Sequence, residues 1–225
     1  MRQVTMRNTN AILCLSLSVS LSAQANTEQS FDVEHFTRVA ASQGIEVNVT
    51  MGSSTQVVAR AETEKDLERL EIEVDHGELR IRRGSWSSSI WNWRSSGGRV
   101  SVDVVVSELE GLSSSTGARV TAVEVDCEEL SLDASSGSRI VVSGGCNEVE
   151  VDASSGAVID ARAFKVEVVT VDASSGARID VFASANFQGD ASSGASVDVF
   201  GTPTLFDSDT SSGARIARRG ERELI

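Results

Sequence analysis

Asp133-Ala134-Ser135-Ser136-Gly137 recurs as the same five residues at 152–156, 172–176 and 190–194, and as Asp209-Thr210-Ser211-Ser212-Gly213. A looser first copy runs from Ser113 to Gly117. The six glycines, Gly117, Gly137, Gly156, Gly176, Gly194 and Gly213, are thus 20, 19, 20, 18 and 19 residues apart. A period near 19 held over six copies marks a solenoid, in which each repeat buries its apolar side only against its neighbours.

The residues around each glycine say which kind. Three positions later stand Val120, Ile140, Ile159, Ile179, Val197 and Ile216, and two further on Ala122, Val142, Ala161, Val181 and Val199. Between and beside them fall Arg119, Arg139, Arg178 and Arg215, then Asp160, Asp180 and Asp198. This is a period of two, with apolar side chains inward and charged ones outward. A second strand precedes each turn, carrying Leu130 and Leu132, Val149 and Val151, Val169 and Val171; Phe187 and Phe206 continue the same inward column. An α-solenoid is excluded, because Ser-Ser-Gly interrupts every repeat and the spacing is not helical. The fold class is all-β: a right-handed, single-stranded parallel β-helix with coils of about 19 residues, right-handed by the crossover rule.

The turn suggests a local device. Asp133, Asp152, Asp172, Asp190 and Asp209 are each placed to accept a hydrogen bond from backbone two residues on, an Asx-turn, while Gly137, Gly156, Gly176, Gly194 and Gly213 supply a left-handed conformation. Alanine on either side of the serines suits the narrow interior of a bend. Stacking at about 4.8 Å turns each position into a column of like residues.

Cys127 and Cys146 test this register, since each lies ten residues before the glycine of its repeat. They fall one coil apart in one column, about 4.8 Å from each other, which is within reach of a disulfide. We therefore expect a Cys127–Cys146 bridge.

The first residues read as a secretory signal. Arg2 and Arg7 precede an apolar run from Ala11 to Leu21, and Ala23-Gln24-Ala25 offers a cleavage site, so residues 1–25 are expected to be removed. The run is too short to span a bilayer. Cys14 follows Leu13, where a lipoprotein signal would carry a small residue, so soluble export is the expectation, into an oxidising compartment that suits the disulfide.

The full chain of 225 residues carries a formal charge of −13; without Arg2 and Arg7 the balance is 18 basic against 33 acidic, or −15. A chain this acidic is no non-specific nucleic-acid binder. Two histidines, His35 and His76, leave little for a multi-histidine metal site or a Ser-His-Asp triad. No cofactor or metal site and no catalytic residue is assigned.

Residues 26–112 lack the repeat and read as a strand-rich N-terminal cap of the solenoid, which covers an otherwise sticky end. Strands are expected over 44–49, 70–74, 78–81 and 100–104, a helical stretch at Glu64 to Leu70, and a hairpin turn at Asp75-His76-Gly77. The repeats occupy 113–218 and a short tail 219–225. All three tryptophans, Trp86, Trp91 and Trp93, fall in one Gly- and Ser-flanked segment, 84–98. That segment is a platform for sugar rings or a partner surface, or else a loop that packs its own tryptophans over the solenoid end.

The Ser-Ser-Gly turns, the strand Ile45-Glu46-Val47-Asn48-Val49 and the segment Val199-Phe200-Gly201-Thr202-Pro203 resemble the putative auto-transporter adhesin head GIN domain family, over roughly residues 36 to 216. The resemblance implies an exported bacterial β-helix with an adhesive role and no catalytic residues to carry over. The function expected is a non-catalytic binding module of the envelope or cell surface, with a glycan or an envelope or host-surface protein as partner. A polysaccharide-active enzyme is the alternative, resting on Asp160, Asp180 and Asp198 beside Arg178, although the tight repeat leaves no loops to wall a cleft. A periplasmic structural or signalling partner protein is another. Calcium along the five-aspartate column is a weaker reading, because one carboxylate per coil falls short of six to eight oxygens.

Intact mass measured after alkylation, with and without prior reduction, checks the disulfide: Cys127 and Cys146 should take up label only after reduction.

Overall fold

The computed structural model describes residues 27–84 and 98–220; the expected signal segment, all three tryptophans and the last five residues lie outside them. Along the chain the elements are β1 (Thr27–Phe31), β2 (Arg38–Ala41), β3 (Glu46–Met51), β4 (Gln56–Ala61), α1 (Glu64–Glu68), β5 (Leu70–Asp75), β6 (Glu78–Arg83) and β7 (Val100–Val106). They continue with β8 (Gly111–Ser114), β9 (Arg119–Ala134), β10 (Arg139–Ala153), β11 (Val158–Ala173), β12 (Arg178–Ala191), β13 (Ser196–Phe200), β14 (Leu205–Thr210) and β15 (Arg215–Arg218). The protein is a β-solenoid.

Two walls face each other across the core. The wall that follows each turn stacks β7, β3, β9, β10, β11, β12, β13 and β15 in parallel. Its inward column is Val102, Val47, Val120, Ile140, Ile159, Ile179 and Val197, each with 0% exposure, and ends at Ile216. The wall that precedes each turn stacks β6, β2, β8, the second halves of β9 to β12, and β14. Its column runs Leu79, Val39, Leu112, Leu132, Val151, Val171 and Gly189. The apolar positions of period two in the sequence are therefore the core. The 18-to-20 variation in interval is taken up away from the turns: β10 slips against β9 between Val142 and Gly144, and β12 against β11 between Ala161 and Lys165.

The parallel stack extends N-terminally beyond the Ser-Ser-Gly copies. β2 and β3 form a coil through Ser42-Gln43-Gly44, whose Gln43 and Gly44 have φ of 60° and 71°. The chain then doubles back, because β6 and β7 come later in sequence but stack on the outer side of β2 and β3. Antiparallel pieces lie against this end: β4 pairs β7, β1 pairs β4, and β5 pairs β6 through the turn at His76-Gly77. α1 is N-capped by Thr63, whose side chain accepts from the Asp66 N–H. No helix among the described residues is long and apolar enough to cross a membrane.

Cys127 and Cys146 are partners in register between β9 and β10, and the structure joins them in a disulfide with Cα atoms 4.7 Å apart. By closing a 19-residue loop the bridge stabilises the fold by about 3 kcal/mol, mainly by restricting the unfolded chain.

Near the C-terminal end the core changes composition by two opposed exchanges of size. The Val169 and Val171 pair of one coil becomes Phe187 and Gly189 in the next, and the Phe187 ring stacks on Phe206 at 4.9 Å. A Cβ on Gly189 would stand 2.7 Å from Cζ of Phe187 and 3.3 Å from Cδ1 of Ile216. Gly189→Val, which restores the residue of the coil before, should therefore destabilise the protein by about 1–3 kcal/mol in urea unfolding, through overpacking against a ring that has nowhere to go.

Candidate functional site

Each turn of the repeat is closed by its backbone. The second serine and the glycine both have positive φ, for example Ser136 at 54° and Gly137 at 69°, and the Ser138 N–H donates to the Ser135 carbonyl at 3.2 Å. This is a type I′ turn. The left-handed serine is held by its neighbour, since the Gly137 N–H donates to the Ser155 carbonyl at 3.1 Å, Gly156 to Ser175 at 3.0 Å, and Gly176 to Ser193 at 3.0 Å. Alanines bracket the turn as expected, with Ala134, Ala153, Ala157 and Ala177 all buried. Where Ser138 replaces alanine, its hydroxyl donates to the Ser114 carbonyl at 2.7 Å.

The five aspartates do not form Asx-turns. Asp133, Asp152, Asp172, Asp190 and Asp209 sit inside the strands in mutual register, with side chains outward. Asp133 accepts from the Ser131 hydroxyl at 3.1 Å rather than from turn backbone. Strand alternation is the physical reason: a residue beside a buried alanine must point away from the core. The turn ladder already satisfies the groups an Asx-turn would serve.

These aspartates border a groove of about 480 Å³ that crosses the coils, lined by Asp133, Asp152 and Asp172, by turn serines such as Ser135 and Ser154, and at one end by Arg80. Burial pushes the Asp152 carboxyl above the usual carboxylate range, and the charges of Asp133, Glu150 and Asp172 push it the same way. Among the described residues no three His, Cys, Asp or Glu side chains converge in a way that could hold a metal ion.

The opposite wall is charge-paired. Asp160, Asp180 and Asp198 align in register, and Arg162 reaches Asp160 at 2.7 Å and Asp180 at 3.9 Å. Arg215 and Arg219 each reach Asp198 at 3.1 Å. The Arg162 hydrogen bond holds Asp160 below the ordinary range, while burial raises Asp180 against the pull of Arg162. Sequence reasoning placed Arg178 beside these carboxylates and missed Arg162, because Arg162 lies in the bend where the period of two is lost.

The two ends of the tryptophan segment, Gly84 and Gly98, are fixed by β6 and β7, while the tryptophans themselves lie outside the described residues. Ile81 pairs with Ala41, and Ser101 with Glu46. The chain between β6 and β7 thus connects the two strand columns that Ser42 to Ile45 connects one coil away. By sequence this connection is the one that contains all three tryptophans, where the other coils have a four-residue turn between the same two columns. The base of the segment is clamped: Arg83 donates to the Gly98 carbonyl at 2.9 Å, the Gly98 N–H donates to Asp66 at 3.1 Å, and the Gly84 N–H to the Arg69 carbonyl at 2.7 Å. Asp66 is buried beneath this junction, and a 2.6 Å hydrogen bond from Thr63 keeps its pKa below the ordinary value despite burial, helped by the Gly98 N–H, Arg83 and Arg69.

A parallel β-solenoid with a near-invariant core and variable outward columns is a scaffold class, in which specificity resides on the walls, the ends and the insertions. The chain belongs to the family described as putative auto-transporter adhesin, head GIN domain, whose model matches residues 35–203. Among solved structures it is similar to a putative adhesin from Bacteroides fragilis NCTC 9343, with 11% identity over 88% of this chain and 98% of that one and a TM-score of 0.67. It is also matched by a putative lipid binding protein from Parabacteroides distasonis ATCC 8503, with 12% identity, 86% and 96% coverage and a TM-score of 0.48. A putative adhesin from Parabacteroides merdae ATCC 43184 matches with 11% identity, the same coverages and the same TM-score. At these identities the first likeness is one of fold. No curated protein matches the chain.

The raised pKa of Asp152 has a consequence for stability. A carboxyl with a raised folded-state pKa binds its proton more tightly when folded, so its contribution to stability falls as pH rises from the ordinary carboxylate value through the raised one. Asp152→Asn should accordingly raise Tm at pH 7, and the gain should shrink as the pH falls towards about 4. Thermal scans of both proteins across that range check it.

Proposed function

We propose that the protein is a non-catalytic, exported binding module acting at the cell envelope or surface, with the segment bearing Trp86, Trp91 and Trp93 as its contact element. The observation that carries this reading is the insertion of all three tryptophans at one position of an otherwise uniform turn column, on a base clamped by Asp66 and Arg83. Tryptophan offers a large apolar face with a polar handle, which suits sugar rings and protein hot spots alike. A solenoid wall is a rigid mount for such an element, and loops carried on rigid mounts are where binding residues concentrate.

Three further observations support the reading. Family membership points to adhesion. The signal pattern at 1–25 and the Cys127–Cys146 bridge both fit export into an oxidising compartment. The carboxylates on which a glycan-degrading activity would rest are engaged by Arg162, Arg215 and Arg219, an arrangement that fits a charge-balanced wall.

Protease shaving of intact cells, with a periplasmic protein as control, tests the placement. The mature chain should be cleaved while the control survives. The triple variant Trp86→Ala, Trp91→Ala, Trp93→Ala should then keep the thermal transition of the parent and lose binding in a screen of glycans and host-surface proteins. Protection until the envelope is opened would instead favour a periplasmic partner protein.

A further inference from the structure

The two ends of the solenoid are built differently. At the N-terminal end β4 and β5 pair with the strands of the outermost coil, and β1 and α1 pack against β4. At the other end β14 pairs only with β12 and β15 only with β13, so among the described residues their outer edges face no strand. The turn ladder stops here too: the Gly194 N–H donates to the Ser212 carbonyl at 3.1 Å, and Ser212 belongs to the last turn.

The last coil is also incompletely sealed. Phe187, Val197 and Ala195 are 2%, 0% and 1% exposed, whereas Phe206, Ile216 and Ala214, which follow them in the same columns, are only partly buried. Leu205 is 66% exposed. Arg218 lies over part of this apolar cross-section: its guanidinium is 4.4 Å from the Phe206 ring centre and donates to the Pro203 carbonyl at 2.7 Å.

The two free edges carry opposite charge. β14 presents Asp207 and Asp209, and β15 presents Arg215 and Arg218, followed by Arg219; Arg215 and Arg219 share the single carboxylate of Asp198 in the coil below, so this edge keeps a net positive charge. In a chain of net charge −13 this is a self-complementary surface. We propose that the C-terminal coil docks a second copy of this chain, end to end about a two-fold axis, with β14 of each copy laid along β15 of the other. Edge strands commonly recruit further strands, and a two-fold arrangement closes, so the contact ends at two copies. Two such rotations are available. One sets β14 on β14 and β15 on β15, acid against acid and arginine against arginine. The other crosses them, places Asp209 of one copy by Arg215 of its mate, and covers Leu205 and Phe206. Charge selects the second. The acidic grooves then remain on the flanks.

The test is light scattering on the full chain across about 1–500 μM, the range in which a contact smaller than a standard interface associates. A dimer that grows with concentration and weakens with added salt is the expected result. Asp209→Arg and Arg215→Asp, both at exposed positions, should each weaken self-association about tenfold or more, because each creates a like-charge pair in the homodimer. An equimolar mixture of the two variants should recover the dimer, since every crossed pair is then opposite in sign. That recovery also shows that both variants are folded. Monomer at every concentration overturns the proposal, as does a dimer indifferent to both variants or an open-ended polymer. A dimer seen only after residues 221–225 are removed overturns it as well, since the chain's own tail would then be the occupant.

Discussion

The structure depends on a backbone contact repeated in the turn column, where the N–H of a turn glycine, from Gly44 to Gly194, meets the carbonyl of the left-handed residue one coil on. That contact fixes three things together. It holds a serine at a positive φ that it would seldom adopt alone, it sets the register of the strands on both sides, and it places a small residue on either side of the bend. Because the glycine column is kept straight, length variation is displaced to the bend opposite, where β9 to β12 slip against one another. A solenoid gains its stability from neighbour contacts of this kind, repeated along one axis.

A consequence is that the inward columns have little freedom and the outward ones have a great deal. Val, Ile and Leu alternate within the core, and the exchange of Val169 and Val171 for Phe187 and Gly189 succeeds only because two positions change in opposite senses. The walls answer to electrostatics instead. One interleaves Asp160, Asp180 and Asp198 with arginines that balance them, and the other stacks five aspartates with no basic column alongside, so burial and mutual repulsion act on Asp152 together. Two walls of one scaffold thus offer different surfaces to anything outside, and the ends and the insertion add two more.

Most of this could be read from residue spacing alone. The glycine period, the alternation around it and the matched offsets of Cys127 and Cys146 determined the coil, its inward columns and the disulfide register, because in a stacked fold each sequence interval is also a distance. The role of Asp133 and its equivalents is not legible in the sequence, for a local reason. Asp before Ala-Ser is as compatible with an Asx-turn as with an outward strand position, and the choice depends on where the turn's hydrogen bonds go, which is set by the next coil. Ser42-Gln43-Gly44 is not legible as a turn of the same column, because a single copy without the aspartate carries no period.

What only the tertiary structure decided is the order of stacking and what that order brings together. β6 and β7 follow β2 and β3 in sequence yet lie outside them, so the connection from β6 to β7 leaves and re-enters the stack at the covered end, and Asp66 of α1 comes to hold Gly98. Arg162 finds Asp160 and Asp180 across a bend that has no regular spacing to read. Periodicity specifies contacts between equivalent residues of successive coils. Contacts made where the chain doubles back, bends or stops have no period, and they form only once the coils are stacked.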